Sequence, residues 1–156
     1  MKKIKIKSYC KLNLSLRVSK KKYSNLHNIK SLITFCDLYD LISIRKIKSL
    51  KDKIIFTGKF KKGINKKSNT ITRVLQLLRE KNFLKNYSFE IIIKKNIPHG
   101  SGMGGGSSNA ASILNFFKNR MNLKLNKTRI RKLANQIGFD VPICLEKKKY
   151  NFNGKK

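Results

Sequence analysis

The sequence predicts an α+β domain. Three observations predict it. Apolar and polar residues alternate through the first part of the chain, the period of a strand. Near residue 69 the spacing changes to the three-and-four rhythm of a helix. A glycine-rich run then separates a β-branched segment from a second helical one.

The elements follow in order. Residues 2–7 alternate Lys with Ile, and residues 11–18 alternate apolar with polar, so both read as strands. Residues 20–28 are polar and read as a turn, and residues 29–36 are apolar and extended in character. Two further strands are expected at 41–47 and 54–60, parted by a Lys-rich turn. Ser68 or Asn69 can cap a helix in which Ile71, Val74, Leu75 and Leu78 share a face. Residues 87–94 are β-branched and aromatic, a strand composition. Ser107 or Ser108 is expected to cap the next helix, with Ala111, Leu114 and Phe116 or Phe117 on one side. Another helix is expected over 127–137, ended by Gly138. Residues 141–145 and 149–152 read as short closing strands. No internal repeat is present, and the Lys-rich stretches are too short to be linkers.

At 156 residues the chain fits one domain, or one and a small appendage, and 40% apolar content is enough for a core. No apolar run is long enough for a membrane-spanning helix, so no membrane partner is expected. The N-terminal Lys/Ile alternation is not a secretory signal. Cys10, Cys36 and Cys144 lie far apart in sequence. They form no metal-binding spacing and no even disulfide set, which suits a reducing, cytoplasmic location.

The formal charge of +31 comes from 38 Lys+Arg against 7 Asp+Glu. It points to an anionic partner: nucleic acid, a membrane surface or a phosphorylated small molecule. Which cations are used offers a simpler account. There are 31 Lys but 7 Arg, with 16 Asn and 19 Ile, the residues of A/T-rich codons. The lysines are spread from Lys2 to Lys156, whereas a nucleic-acid surface clusters its cations and favours Arg. Nucleic acid is therefore disfavoured as the partner, and a non-catalytic basic RNA-binding module stays as an alternative reading. The field would in any case concentrate an anionic substrate such as ATP.

The chemical signal is the run from Pro98 through His99, Gly100, Ser101, Gly102, Met103, Gly104, Gly105 and Gly106 to Ser107 and Ser108. Glycines let backbone amides converge on an anion, and a helix start offers unpaired amides and partial positive charge. Together they make a phosphate site. No Gly-Lys-Ser/Thr follows, so the loop is not a Walker A sequence. Gly100, Gly102 and Gly105 make a weak dinucleotide-type match, but residues 109–139 hold no acidic group for a ribose hydroxyl. A flexible linker is the plain alternative, and the strand–loop–helix setting speaks against it.

The same run, Pro-x-Gly-x-Gly-x-Gly-x-Gly-Ser-Ser-x-Ala-Ala from Pro98 to Ala111, resembles the ATP loop of the GHMP small-molecule kinases. Three further stretches are similar to one branch of that superfamily: Ser8-Tyr-Cys-Lys-Leu-Asn-Leu14, Phe35-Cys-Asp-Leu-Tyr-Asp40 and Gly138-Phe-Asp-Val-Pro-Ile143. That branch phosphorylates a hydroxyl of a cytidine-diphosphate-linked methylerythritol in non-mevalonate isoprenoid synthesis. The resemblance implies the N-terminal domain of such a kinase, a mixed sheet packed on helices in a fold also found in ribosomal proteins, with ATP and Mg²⁺ as cofactors. It implies a second domain of similar size beyond residue 156, so the chain is expected to be a fragment with half a cleft. Another GHMP small-molecule kinase is the nearer alternative.

Roles are carried over residue by residue. Asp140 matches the catalytic carboxylate, which would take the acceptor hydroxyl's proton. Lys11 matches the catalytic lysine, whose ammonium would stabilise the developing alkoxide or the phosphoryl oxygens. Residues 98–108 would bind the nucleotide. Asn13 and His27 would contact the acceptor, His27 at the cytosine edge. Bottom-up, Lys11 is one of 31 lysines and reads as an exposed strand residue. Asp140 has more support of its own, as one of seven acids set between the helix-ending Gly138 and Val-Pro; the plain alternative is a turn or helix-terminus Asp. The chain departs from the pattern at Tyr9 and Cys10, which replace Pro-Ala, and at Ser101, which interrupts the glycines. Asn25 and Leu26 replace Gly-Tyr, which removes a stacking ring.

Overall fold

A computed structural model of the chain describes residues 2–19, 28–65 and 68–146. Four strands form one sheet in the order β1-β2-β4-β3. β1 is Ile4–Ser19 and β2 is Asn28–Ile47. β3 is Lys53–Thr57 and β4 is Ser88–Lys94. β2 runs antiparallel to both β1 and β4, while β3 pairs parallel with β4, so the sheet is mixed as expected. The four separate strand stretches expected before residue 50 are two long strands. Residues 20–27 of the expected turn lie outside the described residues, as does the strand expected at 149–152.

Alternation decides which face of the sheet meets the helices. Ile42 and Ile44 of β2 pair with Ile93 and Ile91 of β4, and all four are fully buried. The residues between them turn the other way. There Arg45 lies opposite Glu90, with Nε 2.6 Å from Oε2. The Arg45 hydrogen bond holds the Glu90 carboxyl below the usual carboxylate range.

Helix α1, Thr70–Glu80, begins at Asn69, whose side chain accepts from the amides of Ile71 and Thr72 at 3.0 Å each. Its buried stripe of Ile71, Val74, Leu75 and Leu78 is the face read from the sequence. Helix α2, Gly105–Arg120, has a low-polarity middle that is buried almost all round. Phe117 of α2 meets Phe89 of β4 edge-to-face, centroids 4.8 Å apart. Such a pair adds about 0.5–1.5 kcal/mol beyond its buried area. Helix α3, Lys127–Ile137, contributes Ile130, Leu133 and Ala134 to the same core.

Two expectations are corrected. Residues 141–145 form not a strand but a short helix, α4, Val141–Leu145. Pro142 sits in its first turn, where the missing amide costs no hydrogen bond. Val141 and Cys144, three apart, are inside and Ile143 is out, the spacing of a helical turn; a strand would put Val141 and Ile143 on one face. Nor does Ser107 or Ser108 cap α2. The cap is Gly104 in the left-handed region, φ +63°, with no side-chain cap, and both serines lie inside the first turn.

Asp52, just before β3, ties the sheet to α1. It accepts two-pronged hydrogen bonds from Arg79, 2.7–3.0 Å, and the Phe89 amide at 2.8 Å.

Candidate active site

The glycine loop joins β4 to α2, and α2 opens on it with the amides of Gly105, Gly106 and Ser107 uncapped by any side chain. The first turn of α2 carries no acidic residue, so its partial positive charge is uncompensated there. The start of α1 is pinned beside it, because the Thr70 hydroxyl donates to the Gly106 carbonyl at 3.0 Å. Two helix N-termini therefore border one cleft, of about 520 Å³.

Asp140 lies on the wall of that cleft, together with Pro98, His99 and the loop as far as Ser107. Its carboxylate Oδ2 is 2.8 Å from Lys11 Nζ, across 129 positions of sequence. The Lys11 side chain is 3% exposed and that of Asp140 46%, so the cation is sunk and the carboxylate faces the opening. β1 brings Lys11 here by a backbone bond as well: its amide donates to the Met103 carbonyl at 2.9 Å. Packing makes Gly104 necessary. A Cβ there would lie 3.0 Å from Lys11 Cβ, and the positive φ disfavours any L side chain.

The expected site residues divide. Lys11, Asp140 and residues 98–107 come together. Ser108 does not share the cleft wall. It is fully buried, and its hydroxyl is 3.4 Å from Cys144 Sγ, which leaves it a packing role. Asn13 is exposed on β1, two positions beyond Lys11, and its Oδ1 accepts from the Ser31 hydroxyl at 3.3 Å. It stands outside the residues lining the cleft. His27 and Leu26 lie outside the described residues.

Sequence reasoning missed a buried polar hub beneath the cleft. Asp40 of β2 has no exposed surface and pairs with Lys95, itself buried. Its Oδ2 also accepts from Asn109 of α2 at 2.9 Å, and its Oδ1 from the amides of Asn96 and Ile97 at 2.7 and 2.9 Å. Lys95 and Asn109 both reach the cleft wall. A carboxylate this well satisfied fixes β2, the end of β4 and α2 relative to one another. The available signal was Asp40's rarity as an acid within an apolar strand. Asn65, Asn69 and Phe56 also line the cleft.

Among the described residues no group of three His, Cys, Asp or Glu could hold a metal ion. None of their helices is long and apolar enough to cross a membrane.

Residues 69–148 match the family model described as GHMP kinases N terminal domain. The 4-diphosphocytidyl-2-C-methyl-D-erythritol kinase of Pelagibacter ubique (strain HTCC1062) is 50% identical over 141 residues, 90% of this chain and 50% of that protein. The kinase of the same name from Caldicellulosiruptor bescii is 35% identical over 91% of this chain and 49% of its own length. A crystal structure of 4-(cytidine 5'-diphospho)-2C-methyl-D-erythritol kinase superposes with a TM-score of 0.72 at 25% identity, covering 91% of this chain and 48% of that one. Mevalonate pyrophosphate decarboxylase from Streptococcus pyogenes shares the fold alone, with a TM-score of 0.64 at 11% identity over 92% of this chain and 45% of that one. The chain spans about half the length of the curated relatives it matches. The family match takes in the glycine loop, the helix that opens on it and Asp140, and the chain belongs to the GHMP kinase family, whose N-terminal domain it carries.

Proposed function

We propose that this chain supplies the nucleotide-binding and proton-accepting half of a kinase that moves the ATP γ-phosphoryl group to a hydroxyl of 4-diphosphocytidyl-2-C-methyl-D-erythritol. The acceptor is inferred from the 50% identical relative's name. One observation carries the chemistry: the Lys11–Asp140 ion pair stands at the edge of the cleft that the uncapped start of α2 also borders.

Each residue has a task that its position supports. The amides of Gly105, Gly106 and Ser107 bind phosphoryl oxygens, using helix charge already in place before substrate arrives. Asp140 commits Oδ2 to Lys11, and its Oδ1 accepts the proton of the acceptor hydroxyl. Lys11, anchored at both its amide and its ammonium, holds that carboxylate in place and offsets charge building on the transferred group. Mg²⁺ carried with ATP would neutralise phosphate charge, and the Ser107 hydroxyl is a cleft oxygen suited to it. Magnesium keeps waters and substrate phosphates as most of its ligands, so few protein oxygens are needed at the cleft wall. Asn13 and His27 would contact the acceptor.

Titration calorimetry with Mg²⁺–ATP tests the nucleotide site directly. Saturable one-to-one binding is expected, and a folded chain that takes up no heat would refute the reading. Phosphoryl transfer is tested on the chain joined to the second half that its relatives carry. Asp140→Asn should lower kcat by about 10²–10⁴ with ATP binding kept. An undiminished kcat would remove Asp140 as the base. RNA retention at moderate salt, with no ATP uptake, would instead favour a basic binding module.

A further inference from the structure

β1 and β2 present two thiols to each other. Cys10 is fully buried, Cys36 is half-buried, and both are free. The antiparallel register makes them direct Cα partners. It does so through a slip: Tyr9 faces Tyr39 while Cys10 faces Cys36, so Asp37 and Leu38 are extra on β2. Direct antiparallel partners have Cα atoms about 4.5–5.5 Å apart. A disulfide spans about 4.4–6.8 Å, so the spacing of direct strand partners falls within its reach. Burial pushes the Cys10 thiol up, partly offset by a hydrogen bond with the Cys36 backbone. Cys144 is placed differently, on α4 beside the Ser108 hydroxyl.

We propose that Cys10 and Cys36 are a reversible redox pair, closing to an intramolecular disulfide under peroxide and reopening under a thiol reductant, while Cys144 stays reduced. The more exposed Cys36 reacts first. Its sulfur attacks one peroxide oxygen, the O–O bond breaks, and a sulfenic acid and water result. The Cys10 sulfur then attacks the Cys36 sulfur. The S–O bond breaks, and the hydroxide leaves as water with the Cys10 proton. Two thiols lose two electrons and two protons, and one peroxide becomes two waters. The closed bond lies one residue before Lys11, on the strand segment that also holds the Met103 carbonyl. Oxidation there would fasten β1 to β2 at the register slip.

The folded 156-residue chain is treated with equimolar hydrogen peroxide, alkylated with N-ethylmaleimide after unfolding, and weighed by intact mass spectrometry. The expected product is a monomer with one maleimide, on Cys144, and a loss of two hydrogens. Dithiothreitol should restore three maleimides. Tryptic digestion should join the peptide of residues 8–11 to that of residues 31–45. Cys144→Ser should keep the disulfide, and Cys36→Ser should abolish it. Should Cys36→Ser fail to fold, the cross-linked peptide from the unaltered chain decides. Three maleimides after peroxide, a disulfide that includes Cys144, or a disulfide-linked dimer would each overturn the proposal.

Discussion

Asp140 is half-exposed, but its partner Lys11 is not. The two ends of this ion pair therefore have unequal weight. Removing the carboxylate strands an ammonium in the interior, and breaking a fully buried pair costs about 3–5 kcal/mol. Because water reaches Asp140, the Asp140→Ala loss should be smaller, about 2 kcal/mol, read from the urea midpoint at constant m-value. No shift would mean that Lys11 finds another acceptor. Glu90 makes a prediction of opposite character, in pH. Its folded carboxyl titrates lower than in the unfolded chain, chiefly through the Arg45 hydrogen bond. The unfolded state thus binds its proton first as pH falls. The stabilisation is present above the ordinary glutamate range and is lost as pH drops through the folded value. Thermal melts should show the parent chain losing stability over that acid window and Glu90→Gln losing less of it. Parallel curves would remove Glu90 from the acid response.

At the scale of elements, the start of α2 is where backbone conformation, packing and binding meet. Gly104→Ala adds a Cβ at φ +63° that would lie 3.0 Å from Lys11 Cβ. A destabilisation of about 1–2 kcal/mol is expected from the left-handed conformation alone, with more from the close contact. Mg²⁺–ATP affinity should fall as well, since Lys11 and the first amides of α2 move together. Intact affinity with lost stability would separate the cap from the site. α1 offers a control beside the same cleft. Asn69→Ala removes the acceptor for two amides and should cost about 1 kcal/mol in a denaturation curve. The long β1–β2 ribbon is different in kind. Before Leu41, β2 has β1 as its only strand partner among the described residues, and Leu14 and Leu32 there are more than half exposed.

Over the whole molecule, the net charge of +31 sets the field, yet the few acids are not scattered in it. Among the described residues, Asp40, Asp52, Glu90, Asp140 and Glu146 each hold an ion pair. The first four join separate elements, and one of them faces the cleft. Two components of anion binding should then separate by salt. The diffuse lysine field is screened within about 8–10 Å at ordinary ionic strength, while amide contacts at a helix start are short-ranged. Tripolyphosphate affinity should therefore weaken roughly tenfold between about 0.05 and 0.5 M potassium chloride and then level off above zero. A continued fall to no binding would assign the affinity to the field alone.

Local rules were enough for much of this molecule. The face of α1, the span of α3 up to Gly138, the β-branched strand β4 and the anion-ready glycine run each depend on neighbours within a few residues, where period and composition act directly. The resemblance of four short stretches placed Lys11 and Asp140 in one site before any contact between them was known. Two local readings failed where local signals were balanced. A five-residue apolar run such as 141–145 is too short for its period to be read, and in the fold it is a helix with Val141 and Cys144, three apart, in the core. Glycine took the α2 cap from the serines because the close approach of Lys11 leaves no room for a side chain there. What only the tertiary structure decided are the contacts that span long stretches of chain: Lys11 with Asp140, Asp40 with Lys95 and Asn109, and Cys10 with Cys36. Strand register and helix docking create those pairings, and neither is written in the residues next to them.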